Sequence, residues 1–504
     1  MFKKWRQLLD ADNGMWYNNI DKVRTISSYD RQVHSMIDLS NFKLWLTESQ
    51  SYSEKTIGNI VSRFKRADSM LPWFNDIVYQ FRLEQLEEYQ ALSVNVRSQL
   101  KKAVKLYYEF ANIPLNSGDK RKDTGMNALS LFANIGVAEA YLEQIGVHVV
   151  VANELIERRA VLYSKIYPQT QMICGDITTD AIKKRIIDES IEKKVDIIMA
   201  TPPCQGMSTA GQQADDDIRN MLICPVIEIV KAVRPRYVFI ENVPMFYNTE
   251  IMVNGERVLI PDYINRELGD KYIITRHIID TKDYSVPQTR ERAITLLSRF
   301  DEKEWVLPKK DEQIVTMRDA IGDIPPLDPF VTDVSDEELL EMFPHFYERK
   351  AEALKISQWH NPPHHIKRQV VAMQHTPTGC TAFDNPVFYP KKEDGTPVKG
   401  YHNTYKRQNW DTAAYTVTMD NRKISSQNNV HPGRLERIDE QGNKIYSDAR
   451  TLTLYELMII MSLPKDWPVP ANTSEAFLRR IIGEGIPPLF VKKVFEGLCE
   501  VNKK

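Results

Sequence analysis

Three short segments hold the residue types that nucleophilic and acid–base chemistry needs. In Thr201-Pro-Pro-Cys-Gln-Gly-Met-Ser208 a single thiol, Cys204, follows two prolines and precedes Gln-Gly. A lone cysteine is ordinarily a small core hydrophobe. Prolines fix the backbone, however, so this segment presents its side chain rather than burying it. A thiol presented that way is a candidate nucleophile. Phe239-Ile-Glu241-Asn242-Val-Pro244 supplies a carboxylate suited to be its acid/base partner. In Gln288-Thr-Arg290-Glu-Arg292 the two arginines, at i and i+2, share one face of a strand.

Each segment lies at or beside a run that reads as a strand. Asn127–Phe132, Val147–Asn153, Asp196–Thr201 and Tyr237–Ile240 are short and apolar, with helical stretches between them. Tyr272–Ile279 and Ala293–Leu297 are expected to pair as a terminal hairpin. Strands alternating with helices predict an α/β fold with a doubly wound mixed sheet, in which ligands bind outside the carboxyl ends of the strands. The chemistry-bearing segments should therefore meet in one crevice.

Three further features point to a nucleotide-like cofactor there. Leu131-Phe132-Ala-Asn134-Ile135-Gly136 is a tight strand–helix turn open to close approach. Asn153-Glu154 ends the next strand, where an acid can hold ribose hydroxyls. Gly175-Asp176-Ile177 follows a third run, and Asp176 could accept from an adenine amino group. NAD and S-adenosylmethionine fit these three features equally well.

Composition sets bounds. The 504 residues allow two to four domains, and a net charge of −2 neither favours nor excludes nucleic acid. Five scattered cysteines without Cys-x-x-Cys argue against a disulfide framework and for a reducing compartment. Met1–Gly14 lacks a long apolar stretch, and no run is long enough to cross a membrane. Four regions are expected: a helical extension over 1–120 and a catalytic domain over 126–300; then a loop-rich domain over 301–450, and terminal helices over 451–504 that complete the catalytic domain. Asn116–Asp123 reads as a linker. In the extension, Ser53 is placed to cap a helix with Ile57, Ile60, Val61 and Phe64 on one face, and Val96–Phe110 forms a second helix.

Taken in order, the motifs resemble those of the DNA (cytosine-5)-methyltransferases of bacterial modification systems. Thr201–Gly211 resembles the family's Pro-Cys-Gln loop, and Arg234-Pro with Glu241-Asn-Val its glutamate motif. Tyr284–Arg292 resembles its Gln-x-Arg-x-Arg motif, and Asp217–Leu222 the smaller motif between the first two. Leu452–Leu463 and Ile482–Pro488 resemble its two C-terminal motifs. Three departures stand out. Phe132-Ala-Asn134-Ile-Gly136 replaces Phe-x-Gly-x-Gly, though Asn tolerates positive φ and should keep the turn. Gly483-Glu484 replaces Gly-Asn, and Ser285 replaces a glycine.

The resemblance implies a fold in which a target-recognition domain is inserted into a methyltransferase domain that uses S-adenosyl-L-methionine, with S-adenosylhomocysteine as product and no metal. It assigns Cys204 to attack C6 of a flipped-out cytosine, Glu241 to hold N3 and the exocyclic amine, Arg292 to contact O2, and Arg290, Gln205 and Asn242 to support them. Cofactor contacts fall to Phe132, Asn134, Ile135, Gly136, Glu154, Asp176, Ile177, Pro202, Leu222 and Glu484. The 207–220 stretch is expected to close over the base. DNA contacts fall to Ser208, Gln288, Lys406, Arg407, Arg422 and Lys423. Lys355–Arg434 carries 11 Lys/Arg against 5 Asp/Glu, which suits phosphate contact. Seven of the ten histidines lie between His345 and His431; without spaced cysteines, turn and DNA roles outrank a zinc site for His360, His364 and His365.

The helix pattern of the extension resembles the core-binding domain of tyrosine recombinases, which would add a second DNA clamp; a bundle that mediates partner contacts is the alternative. The expected setting is a monomer on double-stranded DNA in a bacterial cytoplasm, associated with the nucleoid, with a cognate restriction endonuclease as a possible partner. The alternatives are a tRNA cytosine-5 methyltransferase, a catalytically idle DNA-binding homologue and an NAD-dependent dehydrogenase.

Overall fold

The computed structural model describes residues 39–48, 52–73, 79–84, 86–111, 125–203, 218–385, 387–400, 403–424 and 428–503. The chain divides into two compact units, 1–122 and 123–504.

The larger unit is built on a seven-stranded sheet. Its strands are β1 (Met126–Leu131), β2 (Val147–Glu154), β3 (Gln171–Cys174), β4 (Ile197–Ala200) and β5 (Tyr237–Asn242), followed by a separate hairpin of β6 (Glu250–Val253) and β7 (Glu256–Leu259), then β8 (Tyr272–Asp280) and β9 (Glu291–Arg299). The order across the sheet is β3-β2-β1-β4-β5-β9-β8. Strands β1 to β5 pair in parallel, and β9 runs antiparallel to both β5 and β8. The order reverses at β1, and there the carboxyl ends of β1, β2 and β4 open a crevice. The expected terminal hairpin is therefore present, with β9 as its inner strand.

The period-two alternation of the strands sends residues to two cores. Ile198 and Ala200 of β4 and Val238 and Ile240 of β5 join Ile227 and Val230 of the Ile223–Val233 helix on one face. Ile197, Met199, Tyr237 and Phe239 face the other way and join Phe490, Val494 and Phe495 of the Pro488–Lys503 helix. The C-terminal helix thus covers the sheet's second face. A third cluster joins Ile135 and Val137, after β1, to Leu162, Val417, Leu457 and Ile482.

The loop-rich stretch has its own small core of Val331, Phe346, Val370, Met373, Tyr405 and Val430. Short helices at Asp336–Met342, Phe346–Ile356 and Lys367–Gln374, and a hairpin of Leu435–Ile438 with Lys444–Tyr446, supply its regular structure.

The smaller unit packs the Glu54–Met70 and Val94–Ala111 helices around Phe42, Phe64 and Tyr107. Phe64 and Tyr107 stack with centroids 3.7 Å apart. Ile57, Ile60, Val61 and Phe64 are buried on one helix face, as the spacing predicts. Ser53 does precede the helix, but its hydroxyl pairs with the Thr56 hydroxyl at 2.9 Å rather than with a backbone amide.

Candidate active site

Glu241 and Asn242 are the last two residues of β5, and both are buried. Across the antiparallel pair, the Arg292 Nε lies 2.7 Å from the Glu241 Oε1, with both side chains mostly shielded from water. A carboxylate gripped at that distance is fixed in direction. Asn242 turns the other way. Its Nδ2 donates to the carbonyl of Pro202 at 3.0 Å, and its Oδ1 accepts from the Val243 amide. Pro202 lies two residues before Cys204. Cys204, Gln205 and Ser208 fall outside the described residues.

Arg290 is buried deeper than Arg292. Its guanidinium donates to the carbonyls of Val417 at 2.9 Å and Gly483 at 3.1 Å, and its amide to the Asp280 Oδ1. Gln288 is fully buried: its Oε1 accepts from the Val417 amide, and its Nε2 lies 3.0 Å from the Met461 sulfur. These two residues, expected at the cytosine and at the DNA, knit the end of the insert to the catalytic sheet. Ser285 adopts φ 62°, the left-handed conformation that favours glycine. Its hydroxyl donates to Asp311 at 2.6 Å and accepts from Lys493 at 2.8 Å, which holds the serine in that strained place.

At the switch point the turn after β1 keeps the expected shape. Phe132, Asn134 and Gly136 all have positive φ, at 58°, 53° and 82°. A Cβ on Gly136 would come within 2.0 Å of the Tyr167 ring, so that position requires glycine. Glu154 closes the turn: its Oε2 accepts from the Asn134 amide and its Oε1 from the Ile156 amide, each at 2.9 Å. Burial raises the Glu154 carboxyl, against the pull of those amides and of Arg159. Glu484 reaches the same place from the end of the Glu475–Glu484 helix and forms a two-pronged pair with Arg159, at 2.8 and 3.1 Å.

Other expected cofactor contacts have different surroundings. The Asp176 Oδ1 accepts from the amide and hydroxyl of Thr178. Ile177 is buried in the first core and Leu222 packs against it, while the Ile135 side chain is fully buried in the third cluster.

A sequence profile of the C-5 cytosine-specific DNA methylases matches residues 126–500. The chain belongs to that family. Type II methyltransferase M1.HgaI of Avibacterium volantium is 41% identical over 379 residues, which cover 74% of this chain and 98% of the relative. M1.HphI of Haemophilus parahaemolyticus is 24% identical over 379 residues, covering 74% and 87%. Among solved structures, a prophage-encoded DNA modification methyltransferase of E. coli superposes with a TM-score of 0.51 at 16% identity, covering 75% of this chain and all of that one; this likeness shows the fold alone.

This cytosine-5 methylase belongs to an S-adenosylmethionine-dependent family, and the residues at the switch point fit that cofactor. The Asn134 Oδ1 is buried with no hydrogen-bond partner among the described residues. With Glu154 and Glu484 it makes a group of acceptors, which suits a ligand carrying a sulfonium, an ammonium and ribose hydroxyls.

The methylase's expected DNA residues divide sharply. Arg422 and Lys423 are exposed, with Lys423 paired to Asp420, and Lys406 lies over the Tyr415 ring. Arg407 is fully buried. Its guanidinium donates to the carbonyls of Met373, His431, Ser447 and Asp448. Four carbonyl acceptors inside a core occupy it, so it is not presented to phosphate. His360 and His365 are also buried, bonded to Thr453 and to the Thr451 amide.

Sequence reasoning missed the fully buried Asp448–Arg450–Glu456 group. Arg450 bonds both carboxylates at 2.7 to 2.8 Å and the Leu327 carbonyl at 2.8 Å, tying the start of the insert to its end. Burial alone would raise Glu456, but the Arg450 guanidinium overrides it and holds the carboxyl at about 2. The signal was available: Thr453-Leu-Tyr-Glu456 has capping-box spacing, and both of its reciprocal bonds form. Among the described residues no helix is long and apolar enough to cross a membrane, and no cluster could hold a metal ion.

Proposed function

We propose that the chain methylates C5 of a cytosine turned out of duplex DNA, with Cys204 bonding transiently to C6. The observation that carries this reading is the pairing at the end of β5. Glu241 is fixed by Arg292, while its neighbour Asn242 holds the carbonyl of Pro202 at the root of the Cys204 segment.

Cytosine C5 is a poor nucleophile until a thiolate adds to C6 and makes the ring an enamine. The Cys204 sulfur forms that bond. Glu241 receives N3 and the exocyclic amine, and supports protonation at N3 as charge builds. Arg292 contacts O2. Bound S-adenosylmethionine supplies an electrophilic methyl group on sulfur. Once C5 has been methylated, a base takes its proton, the C6–S bond breaks, and the thiolate returns to Cys204. A base in the stack is out of reach, so the target must leave the duplex at a cost of about a few kcal/mol. Gln205 and Ser208 belong to the segment that would close over it. Phe132, Gly136, Glu154, Asp176 and Pro202 would line the cofactor crevice.

Recognition of duplex DNA is assigned to 301–450, with Arg422, Lys423 and Lys406 as phosphate contacts. Residues 126–300 and 451–504 form the catalytic domain. The setting is Type II restriction–modification, as the names of the relatives suggest, with a cognate endonuclease as partner and a monomer acting on nucleoid DNA. The N-terminal unit is read as a second contact with the DNA backbone. Its Glu54–Met70 helix carries Lys55, Arg63, Lys65 and Arg66 against two acids. Lys55, Asn59, Ser62 and Arg66 follow helical spacing and are all exposed.

Incubation with tritiated S-adenosylmethionine and duplex DNA, followed by bisulfite sequencing, tests the reading. Label at one cytosine of a fixed sequence is expected. Label on tRNA alone, or none on DNA, would overturn it.

A further inference from the structure

The two positions at which the cofactor crevice departs from the expected motifs, Asn134 and Glu484, meet in space although 350 residues separate them. The Asn134 Nδ2 donates to the Glu484 Oε2 at 3.4 Å. A third residue, which no motif singles out, completes the group. Arg159, in the first turn of the Glu157–Ile166 helix, grips both oxygens of Glu484. The Arg159 and Glu484 side chains are 17% and 18% exposed, so both charges are largely withdrawn from water. Arg480, the other cation near Glu484, is mostly exposed and 3.7 Å away.

Desolvating such an ion pair costs about as much as its attraction returns, so stability alone is a weak reason for it. A ligand that carries both charges is a better one. Guanidinium forks match carboxylates in two-pronged geometry, and Glu484 together with the unpartnered Asn134 Oδ1 offers acceptors for an ammonium. Glu154 is already engaged by two backbone amides and is left to the ribose side.

We propose that Arg159, Glu484 and Asn134 form the seat for the amino-acid end of S-adenosylmethionine. Arg159 takes the ligand's carboxylate, and Glu484 with the Asn134 Oδ1 takes its ammonium. The Arg159–Glu484 pair holds the seat in shape and neutral until the zwitterion enters between the two charges. This inference rests on the reading that the family's cofactor binds at the β1–β2 crevice.

Calorimetry on the full chain with two probes tests it: S-adenosylhomocysteine, and 5′-methylthioadenosine, which lacks the amino-acid end. Arg159→Ala should weaken S-adenosylhomocysteine about 10- to 100-fold, the cost of a lost charged hydrogen bond. It should change methylthioadenosine binding by less than about threefold. Arg159→Lys, which keeps the charge without the fork, should fall between and serves if the alanine variant does not fold. An unchanged affinity for S-adenosylhomocysteine, or an equal loss for both probes, would overturn the proposal. If the wild-type chain binds neither probe, the cofactor reading fails along with it.

Discussion

The side chain of Asn242 donates to the carbonyl of Pro202 at 3.0 Å, inside the protein, and thereby joins the end of β5 to the segment that leaves β4. One residue along β5, Glu241 is fixed by Arg292. The end of β5 is thus tied to the segment just before Cys204 by a buried hydrogen bond. Asn242→Ala leaves that carbonyl unsatisfied and should cost about 1–3 kcal/mol of stability. If the bond positions the catalytic segment, kcat should also fall by about tenfold or more, because a small misplacement is costly to chemistry. A melting curve and single-turnover methylation separate the two; stability loss with unchanged turnover would limit Asn242 to a structural part.

Cys204→Ala should abolish methyl transfer and leave DNA binding intact. With DNA containing 5-fluorocytosine, the wild-type chain should yield an adduct that survives denaturing electrophoresis, and the variant none. Residual turnover in Cys204→Ala would disprove the nucleophile assignment.

Arg407 offers a contrast between surface and scaffold roles. Its guanidinium serves four carbonyls in the core, so Arg407→Ala should destabilise the insert by about 3 kcal/mol or more, because those buried carbonyls lose their donor. Arg422→Gln should instead weaken DNA binding and leave the melting temperature within a degree or so. Equal loss of DNA affinity in a folded Arg407→Ala would contradict this division.

Glu139 predicts a pH dependence. It is wholly buried, accepts from the Ser130 hydroxyl at 2.5 Å, and burial pushes its carboxyl up from 4.5 to about 7. Between those values the native state keeps a proton that the unfolded chain has released. Stability should therefore fall as pH rises from about 4.5 to 7, by roughly 3 kcal/mol. Glu139→Gln, neutral throughout and still an acceptor for Ser130, should flatten this trend. Parallel pH profiles of melting temperature for the two proteins would show the group to be ordinary.

Salt dependence reports on the N-terminal unit. Each phosphate contact contributes about 0.9 to the slope of log affinity against log salt. Lys55→Gln with Arg66→Gln should reduce that slope by about 2 on a long duplex while kcat at saturating DNA holds. An unchanged slope would remove the unit from the DNA interface.

The sequence revealed strands and strand-end chemistry more readily than it revealed surfaces. Glu241 and Arg292 were legible because a strand end fixes where its last residues go, and the reversal of strand order fixes the crevice. Arg407, Arg290 and Gln288 were not. Their types suggest exposure, yet Arg407 and Arg290 find backbone carbonyls, and Gln288 the Val417 amide and the Met461 sulfur, all brought to them by remote segments. Even Gly433 is set by that arrangement, since a Cβ there would come within 2.3 Å of the Arg407 guanidinium. Arg159 was illegible for the same reason: its partner arrives from the far end of the chain.

The apolar cluster that joins Met126 and Ala128 to Phe490, Val494 and Leu498 has a consequence for biogenesis. A ribosome that has finished the first strand must add about 370 more residues, roughly 20 to 75 s of synthesis, before that strand's second face can be covered. The N-terminal bundle, with its own aromatic core, can be formed well before then. Nascent chains thus expose an apolar sheet face until the Pro488–Lys503 helix has been made, and a product truncated before that helix lacks the cover of its sheet.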